Sequence, residues 1–223
     1  MKILSIDVGI YNLACCILNI QQSVTIEFWK DINILSGKET CSTKGCKCVA
    51  THVKDNLFYC IKCKTSLFPK QRLQTVKTAT NTPIEKIAID LYSTLDNVFT
   101  DINVDKVLIE NQPTKNIKMK NISMLILGYF TRKGYECEFV NASKKMKETT
   151  CFYKNVILPN NYANRKKASK LSVKSMLGNS DWGLFFKTSK KQDDLSDCLL
   201  QAMWWIHTKV NPLLSINTSN EIV

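Results

Sequence analysis

Glycine is scarce in this chain, at 7 of 223 residues. An Asp7-Val8-Gly9 strand end also opens the two-domain sugar-kinase and actin-type ATPase fold. That fold needs further Gly-rich phosphate loops and more length, so the composition argues against it. No apolar run approaches the roughly 18 residues needed to cross a bilayer, so no membrane association is expected. No secretory leader opens the sequence: Met1-Lys2 runs straight into a short strand-like segment, and an intracellular, reducing compartment is expected. There is no internal repeat, no extended low-complexity tract and no RNA-reading aromatic motif. Acidic side chains are the minority charge, 19 against 31 Lys and Arg.

The resulting net charge of +12 favours a polyanionic partner, most simply nucleic acid. Hydrophobic residues make up 44%, enough for a packed core. Apolar patterning predicts strands over 2–8, 13–18 and 24–29, with a hairpin break at Gly9–Asn12. Residues 38–70 are richer in Cys, Lys and Thr and read as an inserted module, followed by a polar linker over 71–82. Thr82-Pro83-Ile84-Glu85 has the pattern of a capped helix start, with apolar residues at helical spacing to Phe99. A doubly buried strand follows over 104–109, then a helix over 116–131, a strand over 135–140, and helices over 163–177 and 193–208. Strands first, then alternating helix and strand, predict one α/β domain over 1–223, a mixed sheet flanked by helices and interrupted by 38–70.

Four carboxylates stand out against this pattern. Asp7 sits in the apolar run ILSIDVGIYNLACCIL, Glu110 ends VLIE, and Asp194 and Asp197 open DDLSDCLLQAMWWI. An ionised carboxylate in a buried context is costly unless it is paired or bound to a cation. Asp194 and Asp197 are three apart and share a helix face; Asp193 points about 100° away and reads as a cap or solvated acid. Hard oxygen ligands suit Mg²⁺ or Mn²⁺, and two such ions can clamp the attacking and leaving oxygens of a phosphodiester.

ILSIDVGIYNLA, VLIENQP and DDLSDCLLQA together resemble the RNase H-like Holliday junction resolvases of the RuvC type, in particular the poxvirus and iridovirus branch of large DNA viruses. The resemblance implies a five-stranded mixed sheet flanked by helices. It also implies a homodimer that cuts four-way DNA junctions by paired symmetric nicks, leaving 5′-phosphate and 3′-hydroxyl ends. Asp7, Glu110, Asp194 and Asp197 match the family's catalytic carboxylates, which hold two Mg²⁺ (or Mn²⁺) ions per active site. A family lysine that contacts the scissile phosphate matches Lys144, with Lys145 as the alternate. A viral chain of this kind would act where viral DNA replicates in the host cell.

Arg165, Lys166, Lys167, Lys170 and Lys174 lie on one predicted helix and suit tracking a DNA backbone; a solvated face explains them equally. Lys187, Lys190 and Lys191 precede the acidic pair and would steer phosphate toward it. Of the 10 cysteines, Cys41, Cys46, Cys48, Cys60 and Cys63 cluster in the insert. Cys60-Ile61-Lys62-Cys63 has knuckle spacing, and Cys41 with Cys46 supplies a second pair, so one structural Zn²⁺ is expected. Cys48 is the alternate to Cys46, and His52 is a poorer ligand. Such a segment has too few aliphatic residues to fold without metal. Cys15, Cys16, Cys137, Cys151 and Cys198 read as core residues, while Phe58, Tyr59 and Phe68 would pack the insert. Two other readings remain open at this stage, an RNase H-type nuclease on RNA–DNA hybrids and a non-catalytic zinc-ribbon binder of nucleic acid. For the dimer interface, the stripe Met119, Met124, Ile126 and Phe130 is the candidate, with a core face as the other reading of the same stripe.

Overall fold

The computed structural model describes residues 1–35, 39–76, 82–144 and 162–218. Three strands open the chain: β1 (Lys2–Val8), β2 (Asn12–Ile20) and β3 (Val24–Asn33). With β7 (Lys106–Asn111) and β8 (Glu136–Asn141) they form a five-stranded sheet in the order β3-β2-β1-β7-β8. The β1–β2 and β2–β3 pairs are antiparallel, whereas β1–β7 and β7–β8 are parallel, so the sheet is mixed as predicted.

Period-2 alternation along β1 decides what each sheet face carries. Leu4, Ile6 and Val8 enter one apolar layer with Ile87, Leu91 and Leu95 of helix α2 (Ile84–Val98) and with Ile122, Ile126 and Phe130 of α3 (Ile117–Arg132). Burying each such side chain fully is worth about 1.5–3 kcal/mol. The alternate positions Ile3, Ser5 and Asp7 therefore fall on the opposite face. That face is covered by α4 (Tyr162–Leu177), α5 (Asp181–Thr188) and α6 (Gln192–Lys209). Ten residues of α6 are buried, from Leu195 to Ile206, and Trp29 Nε1 of β3 donates to the Leu195 carbonyl at 3.1 Å.

Several expectations need correction. Helix α2 begins with Pro83, not Thr82, at the N-cap position, so the cap side chain makes no hydrogen bond. Ile126 and Phe130 are completely buried in the core, which removes them from any interface; Met124 remains 47% exposed. Helix α5 was not predicted, although Ser180 caps it by accepting from the Gly183 amide at 3.2 Å. Trp182 and Phe186 dock it beside Trp29, with the Phe186 ring stacked on Trp29 at 5.3 Å.

The insert forms its own three-stranded sheet, in the order β5-β4-β6, from β4 (His52–Lys54), β5 (Leu57–Tyr59) and β6 (Gln74–Thr75), with helix α1 (Ile61–Leu67). Asp55 and Asn56 turn the β4–β5 hairpin with φ of 49° and 62°, the left-handed pair of a type I′ turn. Strand β6 lies in the stretch read from sequence as linker and pairs with β4. Tyr59 and Phe68 pack edge to face at 5.2 Å, as expected of residues that hold the insert together. Cys15, Cys16 and Cys198 are fully buried and Cys137 is half-buried; Cys151 lies outside the described residues. No helix among the described residues is long and apolar enough to cross a membrane.

Candidate active site

The β1–β7 register runs from Ile3 opposite Lys106 to Ile6 opposite Ile109. Asp7 and Glu110 are the next residues on the two strands, which in a sheet lie about 4.8 Å apart. Asp7 pairs with Ala14 on its other side, and Ala14 belongs to the layer under α6. Helix α6 brings its N-terminal turn to the same place. Ser5 Oγ donates to the Cys198 carbonyl at 2.9 Å, which places Asp197, one residue earlier, beside the end of β1. The result is one cavity of about 660 Å³ lined by Asp7, Glu110, Asp194 and Asp197 together. Glu110 is the penultimate residue of β7, with Asn111 ending the strand.

Glu110 and Asp194 are held differently. Glu110 is buried, at 8% exposure, and accepts from Gln112 Nε2 at 2.5 Å; Gln112 is itself buried. Asp194 faces Lys191 Nζ at 3.4 Å. Burial, and then the neighbouring Asp193, push the Asp194 carboxyl above its ordinary range despite Lys191. Burial also acts on Asp193, but its ion pair with Lys166 outweighs it and draws that carboxyl down. The four carboxylates line the cavity without clustering; among the described residues only cysteines bring metal-capable ligand atoms of three or more side chains within 4.8 Å of one another. The donor set still fits a hard divalent cation. It is all oxygen, it is partly desolvated, and a carboxyl pushed up by burial and a like charge gains from added positive charge.

No protein-family model matches the chain. A curated protein of Acanthamoeba polyphaga mimivirus, itself described as uncharacterised, is 27% identical over 69% of this chain. The chain spans 43% of that relative's length. Solved structures are more informative about the backbone. The fowlpox virus resolvase in complex with Holliday junction DNA superposes with a TM-score of 0.55 at 16% identity, covering 94% of this chain and 99% of that one. The yeast mitochondrial Holliday junction resolvase Ydc2 gives 0.54 at 14% identity, covering 92% and 78%. Thermus thermophilus RuvC with its junction substrate gives 0.51 at 11%, covering 94% and 97%. The chain has the RuvC-type resolvase fold.

On that fold the predicted basic residues separate into groups. Arg165 and Lys166 of α4 line the acidic cavity, as does Lys191. Lys167 and Lys174, seven apart, are exposed on the far side of α4 from buried Ser169 and Val173; Lys170 is half-buried between the two groups. Lys187 donates to Asn179 Oδ1 at 2.9 Å, and Lys190 is exposed. Lys144 is not among the cavity-lining residues; its ammonium rests 5.4 Å from the centre of the Trp204 ring. Lys145 lies outside the described residues.

The structure also adds lining residues that the sequence did not single out. Gln112 holds Glu110, and Asn12, gripped by Asp31 at 2.8 and 3.0 Å, forms another part of the wall. The polar type of Gln112, two residues after a buried acid, was the available signal.

The insert of this RuvC-type fold brings together Cys41, Cys46, Cys60 and Cys63, with all four sulfurs within 4.8 Å of one another. Cys48, the alternate, is exposed and contributes its backbone carbonyl to the Cys41 amide at 2.9 Å. His52 bonds to Thr51 instead. A hydrogen bond with Thr43 pulls the Cys41 thiol down to about 6 and the Cys63 amide lowers Cys60, while the neighbouring thiols push Cys63 up and, with burial, raise Cys46 to about 12. A closed set of four thiols of this kind could hold a structural zinc.

Proposed function

We propose that the chain is a metal-dependent, structure-specific endonuclease that resolves four-way DNA junctions by paired symmetric nicks. The observation that carries this reading is the convergence of Asp7, Glu110, Asp194 and Asp197, from two strands and one helix, on a single cavity beside a lysine-rich helix. The fold it shares with solved junction resolvases supports the same reading.

Two Mg²⁺ or Mn²⁺ ions held by these acids would neutralise the cleaved phosphodiester and acidify the attacking water. The chain's own residues do the positioning. Gln112 holds Glu110 toward the cavity, while Arg165 and Lys166 sit where they can bind the phosphate flanking the cut. Lys167, Lys170 and Lys174 follow the duplex backbone and contribute affinity without sequence information. Lys144 extends the phosphate track from the end of β8, released from Trp204 when DNA binds. Two coordinated nicks require two such sites related by a two-fold axis, hence a homodimer. One Zn²⁺ on Cys41, Cys46, Cys60 and Cys63 would supply the folding energy of the 38–70 insertion, in a compartment reducing enough to keep the thiols free.

The test is cleavage of three substrates side by side, a synthetic four-way junction, an RNA–DNA hybrid and a linear duplex, each in Mg²⁺ and in EDTA. The expected result is Mg²⁺-dependent cutting of the junction in preference to both others. Preferential cutting of the hybrid would make the chain an RNase H-type enzyme. Binding without cutting would make it a zinc-ribbon binding protein.

A further inference from the structure

Directly beneath the cavity lies a polar network in an otherwise apolar layer. Ser5 and Gln201 are 0% and 1% exposed. Gln201 Nε2 donates to Ser5 Oγ at 3.1 Å and reaches the backbone carbonyls of Ile6 at 3.3 Å and Leu108 at 3.4 Å. Ser5 Oγ in turn donates to the Cys198 carbonyl at 2.9 Å. The two carbonyls fix the amide's orientation, because a flipped amide would face its oxygen against theirs. Ser5 spends its single proton on Cys198, leaving its lone pairs for Gln201.

This circuit joins the three elements that carry the acids, and does so one structural repeat below each of them. Ser5 is two residues before Asp7 on β1, so both project from one face. Leu108 stands in the same relation to Glu110 on β7. Gln201 is four residues after Asp197, one helical turn along the same face of α6. A leucine at 201 would fill the space with less desolvation cost. A directional hydrogen-bonded network instead fixes one relative placement of helix and strands, where an apolar contact tolerates sliding.

We infer that Gln201 and Ser5 are positioning residues, a buried lock that sets the spacing of the Asp7, Glu110 and Asp197 carboxylates for binding divalent cations. The inference rests on the reading of the cavity as a cation site. Neither residue touches the cavity; they act through the strands and the helix.

Gln201→Leu and Ser5→Ala are compared with wild type for Mn²⁺ affinity in the absence of DNA, for junction binding in EDTA, and for thermal unfolding. Phe186→Leu, in the same apolar layer but outside both the Gln201–Ser5 circuit and the cavity lining, is the control for lost packing. The lock predicts that Gln201→Leu weakens Mn²⁺ binding by about 10- to 100-fold and Ser5→Ala by a smaller factor, with junction binding in EDTA unchanged. Phe186→Leu lowers the melting temperature without changing Mn²⁺ affinity. If Gln201→Leu does not fold, Ser5→Ala decides. Wild-type Mn²⁺ affinity in the folded lock variants overturns the inference, as does an equal loss in Phe186→Leu. If wild type binds Mn²⁺ and cuts junctions while the variants bind it equally well, only the lock fails. If wild type binds no Mn²⁺, the reading of the cavity fails with it.

Discussion

Lys166 of α4 and Asp193 of α6 form an ion pair at the edge of the carboxylate cavity, beside Asp194. The pair ties α4 to α6 and neutralises the one acid of the 193–197 stretch that does not line the cavity. Asp193→Asn should therefore leave junction cleavage close to wild type. It should also cost stability in a pH-dependent way. The Asp193 carboxyl is held below its ordinary value, so the stabilisation is complete above the unfolded-state value and is lost as pH falls through the folded one. Solvent screens the pair, so urea unfolding should show a gap of no more than about 1 kcal/mol at neutral pH that closes as the solution is acidified. A gap that persists in acid would mean that the pair is not its source.

Glu110 depends on a neighbour for its orientation. Gln112→Leu keeps the volume but removes the amide that holds the carboxylate at 2.5 Å. Cleavage should fall about 10- to 100-fold, as for other groups that orient metal ligands, and higher Mg²⁺ should recover part of it. Unchanged cleavage at limiting Mg²⁺ would show that Glu110 needs no such support.

The cysteine cluster separates two residues that spacing alone left interchangeable. Purified protein should carry about one Zn²⁺ per chain. Cys46→Ser should lose it, while Cys48→Ser should keep it, because Cys46 and not the exposed Cys48 completes the set of four sulfurs. Metal analysis of the two variants is the check, and equal zinc content in both would contradict the assignment.

The far side of α4 should act on binding alone. Replacing Lys167 and Lys174 by Gln should weaken junction and duplex binding alike and lower the slope of log affinity against log salt by about 1 per lysine. Cleavage at saturating protein should be unchanged. Arg165→Met, inside the cavity, should instead reduce cleavage at saturation.

The parts of this molecule that were legible in the sequence are those in which one residue violates its surroundings. Asp7 and Glu110 interrupt apolar runs, and Asp194 and Asp197 open a helix that is otherwise buried; the structure brings all four to one cavity. The sheet was legible because strands buried on both faces are long and continuous, as in Lys106–Asn111. Short polar elements were not. Gln74–Thr75 becomes a strand only because β4 offers it a partner, and Asp181–Thr188 is a short helix whose three aromatics were hidden by flanking lysines. The α3 stripe looked the same whether it faced a partner or a core, and packing against the sheet settled it for Ile126 and Phe130. Gln201 and Ser5 left no trace in periodicity, since the groups they bond lie 93 to 196 residues away in the chain.

The central claim is that four distant carboxylates act as one cutting site on branched DNA. Its most direct test is a strand-labelled, freely migrating four-way junction incubated with wild type and with Asp7→Asn, in Mg²⁺ and in EDTA. Wild type in Mg²⁺ should release nicked duplexes cut at symmetric positions on opposing strands. EDTA and Asp7→Asn should each abolish cutting while the protein still shifts the junction in a binding gel. Cutting by Asp7→Asn at the wild-type rate, or an intact junction after wild type in Mg²⁺, would contradict it.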